Sequence, residues 1–139
     1  MKKGIIALTV SFLAVSAAAQ QPVSADRFAD AVNHWNKEHG AQTYERYKPD
    51  RFREIADNIV AYQNADGGWP KNLDMLARLD PDSVKAALKP RHRLSTLDNA
   101  NVYTQVEYLS NVYLLTGDTL YRNSARRGME YMLSAQYPN

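Results

Sequence analysis

The chain has 139 residues, with 17 Lys and Arg against 15 Asp and Glu and no cysteine. That length allows one domain or part of one. The missing thiols exclude disulfides, and the near-balanced charge lacks the basic face that nucleic-acid binding demands. In chain order, the first element reads as a leader. Lys2 and Lys3 precede an apolar run from Gly4 to Val15, and Ala17-Ala18-Ala19 fits a small-residue cleavage site, the composition of a secretory signal peptide. The run is shorter than the ~20 apolar residues that span a bilayer. Taking Lys2 and Lys3 from the 17 basic residues leaves 15 against 15 acidic ones in the expected mature segment 20–139. No cysteine follows the run to carry a lipid anchor, so the expected product is periplasmic or secreted, with no membrane attachment after cleavage.

Four segments carry helical periodicity. Phe28, Val32 and Trp35 share one face of a helix over Asp26 to Glu38, with Gly40 as its stop. Phe52, Ile55, Ala56, Ile59 and Val60 form an apolar stripe on a second helix, Asp50 to Asn64, ended by Asp66-Gly67-Gly68. A third, Ala100 to Leu115, aligns Val102, Val106, Leu109 and Tyr113 and stops at Thr116-Gly117-Asp118. Asp118 is the expected N-cap of a fourth, Thr119 to Gln136, whose inner face reads Tyr121, Ala125, Met129, Met132 and Leu133. Between the second and third helices, Pro81-Asp82-Ser83 opens a short helix covering Val84, Ala87 and Leu88. No segment alternates with period two, so the predicted class is all-α.

An internal repeat supports this. At an offset of 73, Gln63 meets Gln136, and Ala56, Ile59 and Val60 meet Met129, Met132 and Leu133. The first copy continues into Gly67-Gly68-Trp69, and the second stops at the point where such a loop is expected. Stacked helical hairpins of this period build a toroid or a solenoid, and about three are needed for a stable stack. Two are present, so the expected architecture is an incomplete (α/α) toroid built from helical hairpin repeats, with 20–139 as its N-terminal part.

Three stretches offer chemistry. In Gln63 to Asn72, two glycines permit tight turns, Trp69 presents either a flat face for a sugar ring or a core side chain, Lys71 can pair with a carboxylate, and Asn72 can donate or accept. In Leu94 to Ala100, Asp98 and Asn99 read either as ordinary helix caps or as two oxygen ligands of a hard cation such as calcium. The basic cluster Lys89, Arg91, His92 and Arg93 reads as a grip on an anionic substrate or as a solvated loop. Arg122, Arg126 and Arg127 read as a solvated face, and His34, His39 and His92 show no metal-ligand spacing.

Ala56 to Gln63 followed by Asn64-Ala65-Asp66-Gly67-Gly68-Trp69-Pro70-Lys71-Asn72 resembles the opening signature of pectate lyases of polysaccharide lyase family 10. So do Ser95-Thr96-Leu97-Asp98-Asn99, Thr104 to Leu109, Thr116-Gly117-Asp118 and the closing Gly128 to Asn139. The resemblance covers nearly everything from Asp50 onward. It implies an (α/α) toroid, monomeric at full length, that cleaves polygalacturonate by β-elimination. A base removes the C5 proton of a galacturonate while calcium neutralises the uronate carboxylate. It further implies that Asp98 and Asn99 hold calcium, and that Asn99, Lys71, Asn72 and Trp69 bind substrate. The family's catalytic arginine belongs to a later part of the fold and has no match here, so this chain alone is expected to be inactive. Two other readings stay open: an α/α-barrel glycoside hydrolase using Asp66 and Asp98, and a non-catalytic helical-repeat module that binds pectin.

Overall fold

The computed structural model describes residues 23–40 and 44–136; the expected leader and the last three residues of the repeat lie outside them. Among the described residues there are five α-helices, α1 (Ala29–His39), α2 (Phe52–Tyr62), α3 (Pro81–Ala87), α4 (Tyr103–Thr116) and α5 (Thr119–Gln136). Extended pairing among these described residues is limited to two isolated bridges. The structure is helical, as the period predicts, and among the described residues no helix is long and apolar enough to cross a membrane.

The predicted stripes are largely the buried ones. Phe28 and Trp35 of the first segment, Phe52, Ile55, Ala56 and Ile59 of α2, and Val102, Val106 and Leu109 of the third segment all enter one core. Asp80, one residue before the predicted start, caps α3 by accepting from the backbone N–H of Ser83 at 3.0 Å, and Pro81 takes the first helical position. Asp118 accepts from the Leu120 N–H at 2.9 Å, as its expected capping role requires. The short link at Gly117 and Asp118 folds α4 and α5 into a hairpin. These two pack most closely on each other, and α2 lies against α3, α4 and α5.

Three expectations need correction. On α5 the inner face is Tyr121, Ser124, Ala125 and Gly128, whereas Met129 and Leu133 are 45% and 61% exposed. The buried stripe continues through a small residue because α5 approaches the loop after α2 too closely for a methionine. The repeat therefore does not equate burial, since Ala56 is fully buried where Met129 is not. Second, α2 ends at Tyr62, before the glycines, with Gln63 already extended. Third, α4 begins at Tyr103 and not at Ala100, because Asn99, Ala100 and Val102 all have positive φ (54°, 57° and 68°) and cannot continue a right-handed helix.

The N-terminal segment is fastened by Asp74, which is 2% exposed. Its carboxylate accepts from Arg46 Nε at 2.6 Å, Tyr44 Oη at 3.1 Å and the Leu76 N–H at 3.0 Å. Arg46 also donates to Asn36 Oδ1 on α1. One buried carboxylate thus joins three segments, with its charge met by the guanidinium.

Candidate functional site

The loop after α2 is built around Trp69. Its side chain has no exposed surface, and its indole N–H donates at 2.6 Å to the Ile59 carbonyl, one of the α2 carbonyls left without a helical partner. The ring lies against Gly128, where an added Cβ would sit 2.7 Å from Cζ3. The absence of a side chain at that turn of α5 makes the slot for the indole. Trp69 therefore offers no face to a sugar ring, and its substrate-binding role is replaced by the core role.

Gly67 passes equally close to α5. Its φ is +91°, and a Cβ there would lie 2.5 Å from the Arg127 carbonyl oxygen. Gly67→Ala should lower stability by roughly 2–4 kcal/mol through conformational cost plus clash. Gly40→Ala, at φ +82° with nothing within 4 Å, should cost only about 1–2 kcal/mol. Urea midpoints of the two variants would check the difference; equal losses would mean that the loop is not pressed on α5.

Gln63 anchors the same junction. Its amide nitrogen donates to the carbonyls of Gly67 (2.8 Å) and Ser124 (2.9 Å), and its oxygen accepts from Ser124 Oγ (2.8 Å) and from Arg127. Arg127, read from sequence as a solvated cation, is thus engaged.

The second motif loop is sewn to the first. Pro70 and Ser95 form a bridge, and the Thr96 N–H donates to the Trp69 carbonyl at 3.3 Å. Ser95 Oγ donates to Asp66 Oδ1 at 2.7 Å, which also accepts from the Gly68 N–H. Asn64 Nδ2 donates to the Arg93 carbonyl and to Ser95 Oγ. Asp66, the second acid of the hydrolase reading, is therefore occupied in shaping the loops.

This seam brings Lys71, Asn72, Asp98 and Asn99 to one cleft. Asp98 forms an ion pair with Lys71, and the ammonium beside it holds its carboxyl below the ordinary carboxylate range. Neither Asp98 nor Asn99 caps a helix. They sit in a 3-10 turn (Asp98–Ala100) without a side-chain cap bond, and the residue before α4 is Val102. Asn72 (φ 61°), Asn99, Ala100 and the β-branched Val102 all occupy left-handed backbone, a cost of order 1–3 kcal/mol per residue that characterises binding and catalytic sites. The polar pair is thus presented at the cleft by a strained turn.

The cleft has further walls that the motifs did not indicate. Arg27 and Asp30 reach it from the first helical segment, and Asn101, Thr104 and Gln105 from the start of α4. Arg27 Nε lies 2.9 Å from Glu107 Oε2, close enough for an ion pair though not aligned as a hydrogen bond, and its guanidinium stands over the Tyr103 ring. The basic cluster stays apart from the cleft. Arg93 donates to the Leu88 and Ala86 carbonyls at the end of α3, a C-terminal cap, and Arg91 donates to His92.

For a hard cation, Asp98 and Asn99 supply a carboxylate and an amide oxygen, the donor types calcium prefers. They are two of the roughly six to eight oxygens such a cation takes, and among the described residues there is no cluster of three or more acidic, His or Cys side chains suited to a metal. Searches of curated proteins and of solved structures return no match. The family model for pectic acid lyases matches residues 63–139, more than half of the chain, and this span contains both motif loops, α4 and α5. The chain belongs to the pectic acid lyase family.

Proposed function

We propose that this chain supplies the calcium- and uronate-binding part of a family 10 pectate lyase that cleaves polygalacturonate by β-elimination. The observation that carries this reading is the presentation of Asp98 and Asn99, beside Lys71 and Asn72, on a strained turn within the matched segment. Calcium, when bound, neutralises the uronate carboxylate and so makes loss of the C5 proton easier. Asp98 and Asn99 hold the cation. Lys71, paired with Asp98 in the free protein, is released to a substrate carboxylate as a point charge, and Asn72 orients the chain by hydrogen bonding.

No base is assigned. Arg93 and Arg127 are committed to backbone and side-chain partners, and Arg27 is paired with Glu107. The chain by itself therefore binds pectate without cleaving it. The toroid reading is supported by Met129 and Leu133, which follow each other at helical spacing on one side of α5 and are exposed. In a toroid, neighbouring helices cover such a face.

Titrating the purified chain with polygalacturonate, with and without calcium, tests this. The expected result is binding that a chelator abolishes and no ultraviolet signal from unsaturated product. Metal-independent binding would favour the pectin-binding module. Turnover insensitive to chelator would favour a two-carboxylate hydrolase.

A further inference from the structure

Gln105 is 3% exposed, lines the cleft beside Asp98 and Asn101, and has a buried Oε1 without a hydrogen-bond partner. The direction of its amide is forced. The carbonyls of Trp69 and Thr96 can only accept, so the Asn101 side chain must turn its nitrogen to them, at 2.6 and 2.9 Å. That leaves Asn101 Oδ1 to face Gln105, which must donate through Nε2, at 2.7 Å. Oε1 is what remains, and a buried acceptor without a donor is costly.

The cavity measures about 20 Å³, room for one water-sized oxygen. Its charged walls balance, Arg27 and Lys71 against Asp30 and Asp98, which suits a neutral donor beside the buried Gln105 and leaves the cation to the exposed Asp98. We propose that Gln105 Oε1 accepts a hydrogen bond from a free ring hydroxyl of the bound uronate, and so makes the site selective for chains whose hydroxyls are not acetylated. An acetyl ester removes the donor and adds a group too large for the cavity. This rests on the pectate reading of the site. Gln105 is then a specificity-determining residue, held in register by Asn101 and, through Asn101, by the backbone of both motif loops.

The test measures calcium-supported binding of oligogalacturonates, O-acetylated and de-acetylated, to wild type and to Gln105→Met. Wild type should bind the free chain about tenfold or more tightly than the acetylated one. Gln105→Met, of similar size but without the acceptor and without the donor to Asn101 Oδ1, should bind the free chain about tenfold more weakly and lose most of the discrimination. Equal binding of both ligands by wild type would overturn the inference and leave the pectate reading standing, with Oε1 holding a water only. An unchanged ratio in Gln105→Met would also overturn it. Binding of neither ligand by wild type would remove both readings. The wild-type comparison decides even where the variant does not fold.

Discussion

Trp69→Ala should cost about 3–5 kcal/mol and leave the chain largely unfolded or insoluble near physiological temperature. The indole fills a slot between α2 and α5, is wholly buried, and satisfies the Ile59 carbonyl. Truncation opens a cavity and also leaves a buried acceptor unmet, two penalties of different origin. Trp69→Phe separates them, since it keeps most of the volume and removes the N–H, and should cost only about 1–3 kcal/mol. Denaturant midpoints decide. A loss under 1 kcal/mol for the alanine variant, or direct quenching of Trp69 emission by oligogalacturonate, would restore the sugar-stacking role that its burial denies.

Asp98→Ala should leave the thermal midpoint nearly unchanged and weaken calcium-supported pectate binding by about tenfold or more, since calcium affinity follows the charge and number of its oxygen ligands. The carboxylate is exposed and supports no core contact, so a loss of binding would not be a folding defect. Asp98→Asn, which keeps the oxygen and loses the charge, should fall between. Asp82→Ala, at an exposed position on α3 away from the cleft, should change neither property. A calcium response intact in Asp98→Ala would move the cation elsewhere.

The helices were legible because their stripes repeat every three or four residues, and α2 illustrates it best: four of its five predicted apolar positions are buried. The start of α4 was not legible. Asp98 and Asn99 look like caps in sequence, and although asparagine tolerates left-handed backbone, nothing marks Ala100 or the β-branched Val102 for it. The loop-to-loop hydrogen bonds select that conformation. Met129 and Leu133 misled because helical period identifies a face without telling which neighbour lies against it. Gly128 carried the missing information, for a glycine within a helix often marks close approach. At the site, Lys71, Asn72, Asp98 and Asn99 were found by residue type and motif. Gln105 left a fainter signal as a polar side chain within a buried stretch, flanked by Val102, Val106 and Leu109. Arg27 and Asp30 left none, because only the folded chain carries them to the cleft.

The seam between the two motif loops has a consequence for their motion. Asn64, Ser95 and Asn101 tie residues 64–69 to 93–101 through bonds that cross from one loop to the other. Neither loop can open without breaking what holds its neighbour, and Trp69 and Gln63 fix the pair to α2 and α5. The cleft therefore belongs to the same cooperative unit as the helices beneath it. Amide protons along both loops, such as those of Gly68 and Thr96, should therefore exchange with solvent on the slow timescale of that unit and not on the fast one of surface loops.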